Sequence, residues 1–249
     1  MGMQQECKKR MKLLHLYHDI MNLYGEYGNI RILTRMLEKN KIDYELDCLS
    51  LGDEVHVSEY DFIYVGSGTE RNQKQVLPHL QALKGELEEY IEAGKVLLMT
   101  GNSFELLGKT ITDAAGKVWE GMGLFPFRVK EQNRTRTTAD AIFTMEGMEH
   151  PLVGFINKCS TIEGIDLPLF QVKMGLGNSG QGGEEGIRFR NVFGTHLTGP
   201  LLIKNPYFLI YLTTILCKKG GLEYSWMEQE KAAYEVTLKK LGERLAQKA

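Results

Sequence analysis

The sequence predicts an α/β fold: a doubly wound, mostly parallel sheet flanked by helices, with a short antiparallel extension. Three observations carry that prediction. Compact apolar runs of strand length alternate with segments of helical period over the first hundred residues. Two of these runs end directly in small-residue turns, Gly66-Ser67-Gly68 and Gly101-Asn102-Ser103, placed where a doubly wound sheet opens its ligand crevice. Beyond residue 109 the pattern changes to short strand-like pieces, as in antiparallel ribbons.

Taken in order, residues 12–17 form a compact apolar run that ends in His18-Asp19, a strand followed by a loop. Residues 21–30 are turn-rich, after which Ile30, Leu33, Met36 and Leu37 repeat at helical spacing. Residues 42–49 alternate as a second strand, and the continuous apolar run 61–65 reads as a third, buried one. A polar helix follows over 71–93, with interruptions expected near Pro78 and Gly85. The fourth strand is 96–100, and the chain is expected to restart after its turn as an amphipathic helix. Strand-like pieces recur at 127–131, 141–145, 170–174 and 186–196, the last two separated by a loop with five glycines over 175–183. Asn205-Pro206 opens a helix, with Asn205 expected as N-cap and Pro206 at the first helical position. Residues 223–249 read as a charged, solvated C-terminal helix and residues 1–11 as a flexible start. No repeat or linker interrupts residues 1–249, so a single domain is expected.

Composition narrows the function. Thirty basic and 32 acidic residues give a net charge of -2, which provides no electrostatic footprint for nucleic acid or an anionic membrane. Cys7, Cys48, Cys159 and Cys217 are far apart and form no CxxC pair, which argues against a zinc or redox motif; no metal or cofactor is expected. The most apolar run, 207–217, is well short of the roughly 18 residues that span a bilayer and reads as a buried helix. Residues 1–12 are polar and basic, without the apolar region of a signal peptide, so a cytoplasmic location is expected.

Several separated segments resemble the class I glutamine amidotransferases of the cobyric acid synthase type. They are Met21-Asn22-Leu23-Tyr24-Gly25-Glu26 with Gly28-Asn29-Ile30, Gly66-Ser67-Gly68-Thr69-Glu70-Arg71-Asn72-Gln73, and Glu105-Leu106-Leu107-Gly108. Val153-Gly154-Phe155, Gly175-Leu176-Gly177-Asn178, Glu185-Gly186, Gly194-Thr195, Gly199-Pro200-Leu201-Leu202 and Lys204-Asn205-Pro206 continue the likeness, which spans about residues 12 to 245. Within that family the chain looks most like the glutaminase subunits of lipid II isoglutaminyl synthase, which feed ammonia to a Mur-ligase-like partner that amidates the peptidoglycan stem peptide. The family's cysteine lies in a Cys-Gly-Gly-Tyr-Gln-Leu-Leu-Gly pattern, and with Leu106-Leu107-Gly108 as anchor its position here is Gly101. The family's histidine lies in Gly-Thr-Tyr-Leu-His-Gly-Pro, which reads here Gly194-Thr195-His196-Leu197-Thr198-Gly199-Pro200, so its position is Thr198.

The resemblance therefore implies an ammonia-producing scaffold without its dyad. Glutamine hydrolysis by this route needs a thiolate to attack the amide carbon and an imidazole to carry the proton to the departing ammonia. Gly101 can do neither. A Ser103–His196 pair could substitute, and Cys159 is a further thiol that reads as structural. Gly68 corresponds to the family's oxyanion loop, Asn102 could offer a backbone N–H, and Arg136 falls where the family holds the substrate's α-carboxylate, with Arg134 as the alternative. Three readings stand: a glutaminase-deficient subunit that binds a Mur-ligase-like partner or an amino acid such as glutamine, an active amidotransferase with a rearranged site, and a non-enzymatic metabolite-binding module.

Overall fold

A computed structural model describes residues 10–132, 136–218 and 220–247. Strands and helices alternate in the first half: β1 (Met11–Leu16), α1 (Tyr27–Lys39), β2 (Tyr44–Leu49), β3 (Phe62–Val65), α2 (Glu70–Ala82), α3 (Lys84–Glu92) and β4 (Val96–Thr100). Ten short strands follow: β5 (Thr110–Thr112), β6 (Val118–Glu120), β7 (Arg128–Glu131), β8 (Thr137–Thr144), β9 (Leu152–Lys158), β10 (Ser160–Glu163), β11 (Phe170–Met174), β12 (Glu184–Glu185), β13 (Ile187–Phe189) and β14 (Val192–Thr195). The chain ends in α4 (Leu201–Lys204), α5 (Pro206–Cys217) and α6 (Glu228–Ala246).

The central sheet has the order β13-β14-β4-β3-β1-β2, with every pair parallel except β13–β14. This is the expected doubly wound, mostly parallel sheet. Every residue of β3 and β4 is buried, which is why both read as unbroken apolar runs rather than as alternating ones. Alternate residues serve opposite faces. Leu14, Ile63, Val65, Leu97 and Met99 pack with Val76, Leu80 and Leu87 of α2 and α3. Leu13, Phe62, Tyr64 and Leu98 pack with Leu33 and Met36 of α1 and Phe208 and Leu212 of α5. The antiparallel extension comprises two four-stranded sheets, β10-β7-β5-β6 and β12-β11-β8-β9, the first with one parallel pair, β5–β7.

Three local expectations are corrected. Pro78 lies inside α2, and the break falls at Leu83, because Val76, Leu77 and Leu80 on either side of the proline are buried and hold the helix together through it. The interruption expected near Gly85 is present, since α3 begins at Lys84 with Gly85 in its first turn. The segment after β4 is a seven-residue 3-10 helix, Gly101–Leu107, not an amphipathic α-helix; Ser103 to Leu107 are all buried, so it has no solvent face to be amphipathic about. Asn205 stands at the N-cap of α5 but makes no capping bond, since its side chain is committed to Val153 and Leu201.

The apolar run 207–217 is a buried-face helix, and no helix among the described residues is long and apolar enough to cross a membrane. The C-terminal helix starts at Glu228, and buries Tyr234 and Leu241. Of the expected flexible start, residues 1–9 lie outside the described residues, and Met11 already belongs to β1.

Candidate functional site

Because β3 and β4 are parallel neighbours, the turns that follow them open at the same end of the sheet. Gly101 takes φ +64 at the corner where β4 becomes the 3-10 helix, a conformation glycine adopts without the steric cost other residues bear. The expected strand-to-helix corner is therefore present, with no side chain at its apex. A Cβ on residue 101 would come closer than 3.0 Å to both Oγ and Cβ of Ser67, and to 3.2 Å from its Cα. Opposite, the Gly68 N–H donates to Asn102 Oδ1 at 3.0 Å, so a carboxamide of the chain already occupies that amide. Asn102 O accepts from Gln73 Nε2 at 2.6 Å, and Asn102 Nδ2 is buried with no partner.

Thr198 is fixed to β9. Its backbone bridges Phe155 in both directions, and its hydroxyl donates to Phe155 O at 3.0 Å. Ser103 is fully buried, with its hydroxyl directed at Thr100 O (2.8 Å) and Val65 O (3.1 Å). His196 lies just past the end of β14. It turns inward, packs on Phe104 at a ring separation of 4.6 Å, and is held between two carboxylates: Nε2 is 2.8 Å from Glu105 Oε1 and Nδ1 is 3.2 Å from Glu185 Oε1. The structure thus gives Ser103 and His196 separate partners and forms no Ser–His pair.

Arg136 pairs with Glu70 and donates to Asn157 Oδ1 at 3.1 Å. The alternative, Arg134, lies outside the described residues. Glu70 also accepts from Cys159 Sγ at 3.3 Å. Burial, then the Glu70 charge, pushes the Cys159 thiol up to about 12, so almost none of it is thiolate at neutral pH. Burial opposes ionisation of Glu70, but its own backbone N–H, Cys159 and Arg136 together hold it below the usual carboxylate range. Ser67, Asn102, Arg136, Cys159 and His196 line a cleft whose enclosed space is about 10 Å³, room for about one water molecule.

Two buried polar clusters behind this cleft went unassigned at the sequence level. Under the corner, Glu26 accepts from Tyr64 OH (2.7 Å), Thr100 and Asn29 Nδ2 (3.4 Å), while Asn29 Oδ1 accepts from Leu202 N at 2.7 Å. Burial raises the Glu26 pKa against these hydrogen bonds. The second cluster gathers Glu105, His196, Glu185, Ser160, Gln73 and Thr195. Burial again opposes ionisation of Glu105, yet hydrogen bonds from His196, Ser160 and Gln73 and the imidazole charge lower its pKa. The available signal was an acid set among apolar or glycine neighbours, as in Gly25-Glu26, Phe104-Glu105-Leu106 and Glu185-Gly186. Among the described residues no hydroxyl or thiol of the cleft is bonded to an imidazole, and no group of three or more His, Cys, Asp or Glu is placed to hold a metal ion.

A parallel sheet whose fourth strand ends in a positive-φ corner facing a glycine turn is the architecture of the class I glutamine amidotransferases. Two solved glutamine amidotransferase structures share the fold: one from Thermotoga maritima, with TM-score 0.51 and 13% identity over 95% of this chain and 98% of that one, and another with TM-score 0.53 and 14% identity over 82% and 98%. The chain belongs to the CobB/CobQ-like glutamine amidotransferase domain family, whose pattern matches residues 12–206. Among its relatives is the lipid II isoglutaminyl synthase (glutamine-hydrolyzing) subunit GatD of Streptococcus pneumoniae, 33% identical over 85% of this chain and 83% of that protein. GatD of Staphylococcus aureus is 29% identical over 90% and 91%, and a probable cobyric acid synthase of Methanothermobacter thermautotrophicus 28% identical over 80% and 44%.

Proposed function

We propose that this chain is a glutaminase-type subunit that has lost its thiol chemistry, a single-domain cytoplasmic counterpart of the GatD subunits that acts by binding a Mur-ligase-like synthase rather than by releasing ammonia. One observation carries the reading: the corner residue, Gly101, keeps the φ of a nucleophile elbow at +64 but has no side chain. Removing a member of such a catalytic unit typically costs about 10⁴ to 10⁶ in rate. The remaining hydroxyls and thiol offer no replacement, since Ser103 is spent on backbone carbonyls and Cys159 is held protonated. Retention of the sheet, the corner and both turns supports selection for the fold as a binding partner.

The reading of the chain as a free metabolite-binding module is less well supported. A cleft of about 10 Å³ does not admit an amino acid without rearrangement. The test is an ammonia-release assay with glutamine, run on the purified chain alone and with a Mur-ligase-like protein from the same cell, together with a pull-down of that protein. Binding without ammonia release is the expected result. Glutamine hydrolysis that survives purification, and is abolished by Ser103→Ala or His196→Ala in variants that remain folded, would establish an active rearranged site instead.

A further inference from the structure

We propose that Ser67 adds a second bar to a side chain at position 101 beyond the positive φ there: its side chain fills the space into which any side chain would project, so a thiol can return without overlap only if residue 67 changes as well. The proposal rests on the reading of Gly101 as the nucleophile position, but its physical content is steric and can be tested apart from activity.

The conflict has three layers. Ser67 Oγ lies too close to a Cβ at residue 101, but a hydroxyl can rotate to another staggered position. Ser67 Cβ lies equally close and does not move on rotation about its own bond to Cα. Its Cα would stand 3.2 Å away, so relief requires the main chain of the 66–68 turn to retreat. That turn is pinned. Leu23 N–H donates to Ser67 O at 2.9 Å, and Gly68 N–H donates to Asn102 Oδ1 at 3.0 Å. On either side of Ser67 the turn is pressed against residue 21: a Cβ at Gly66 would strike Met21 O, and one at Gly68 the Met21 sulfur. The turn therefore has no free space to move into.

Ser67 is 5% exposed, and its hydroxyl makes no hydrogen bond among the described residues. Trimming it therefore sacrifices no polar contact. A serine in this place closes the apex, and Gly101 is the only residue type compatible with it. On this view Gly101→Cys with Thr198→His does not by itself rebuild the family's dyad.

The test compares the parent, Ser67→Gly, Gly101→Cys, Ser67→Ala/Gly101→Cys and Ser67→Gly/Gly101→Cys by thermal unfolding and by Ellman titration of fast-reacting thiols. Gly101→Cys is expected to lower Tm by about 5 to 10 °C, the scale of overpacking in a chain of this size. The Ser67→Ala double variant keeps the offending Cβ and is expected to stay low. The Ser67→Gly double variant is expected to recover, relative to Ser67→Gly alone, the part of the loss that comes from overlap with the Ser67 side chain, the strain of a side chain at φ +64 remaining, and to titrate one fast thiol more than the parent. If Gly101→Cys gives no folded protein, recovery of a folded Ser67→Gly double variant supports the proposal equally. A Gly101→Cys variant as stable as the parent overturns it, as does a double variant that fails to recover or a Ser67→Ala variant that recovers as fully. Adding Thr198→His to the recovered variant and assaying ammonia separates the two claims: a folded protein with a reactive thiol and no hydrolysis counts against the assignment of position 101 and leaves the steric claim standing.

Discussion

At the scale of single residues the charged groups of the crevice satisfy one another. Glu70 neutralises Arg136 and restrains the Cys159 thiol, so Glu70→Gln removes the second cause of the raised thiol pKa while burial persists. Iodoacetamide alkylation of Cys159 at mildly alkaline pH, followed by peptide mass spectrometry, is expected to speed up by about tenfold or more, since a fall of one unit multiplies the thiolate fraction by ten. An unchanged rate would mean that burial alone controls the thiol. His15 shows a different kind of residue effect. It is 4% exposed, its Nε2 has no partner, and burial, aided by His18, lowers its pKa from 6.5 to about 4. An imidazole depressed in the fold contributes stability that is fully present above its unfolded value and is lost as pH falls from about 6.5 toward about 4. Urea unfolding at pH 7 and pH 5 is expected to show a loss on the order of 1 to 2 kcal/mol from this group, and His15→Phe is expected to flatten that limb.

At the scale of elements, the informative residues are those that join one element to another. Asn205 accepts from Val153 N at 2.7 Å and donates to Val153 O at 2.9 Å and Leu201 O at 2.8 Å, so it links β9 to the α4–α5 junction. Asn205→Ala strands three buried backbone groups and is expected to cost about 2 to 4 kcal/mol in urea unfolding, whereas loss of a simple N-cap costs about 1. The element pattern itself was legible in the sequence. The unbroken runs at 62–65 and 96–100 announced fully buried strands, and the 3.6-residue period of Ile30, Leu33 and Leu37 announced α1. The sequence shows Asn205 as the residue before a proline, and hence as a cap, but not the strand that folds back beside it. The same holds for Pro78: its local cost is visible in the sequence, but the buried Val76 and Leu80 that offset it become evident only once α2 is packed.

At the scale of the whole molecule, the Glu105–His196–Glu185 cluster joins the three sheets. Glu105 follows β4 and His196 follows β14 of the central sheet, Ser160 begins β10, and Glu185 ends β12. Removing one partner of such a buried charged network leaves the others unpaired, and His196→Ala is expected to destabilise by about 3 to 5 kcal/mol. Equilibrium urea unfolding measures this, and a loss below 1 kcal/mol would show that the cluster is not a structural joint. Because the Glu105 pKa is depressed in the fold, its contribution is present above the unfolded carboxylate value and disappears as pH falls through the folded one. The acid side of the stability profile should therefore be shallower in Glu105→Gln than in the parent.

The sequence by itself determined the mostly parallel sheet, the alternation of its strands and helices along the first half of the chain and the place of the corner at residue 101, because strand runs, glycine turns and residue identities are local along the chain. Tertiary structure alone decided the condition of the crevice. Ser67 and Gly101 are 34 positions apart in sequence, Glu70 and Arg136 are 66 apart, and Glu105 and His196 are 91 apart. Whether an apex is empty or filled, and whether an arginine is free or paired, depends on distances across the fold that no local pattern encodes.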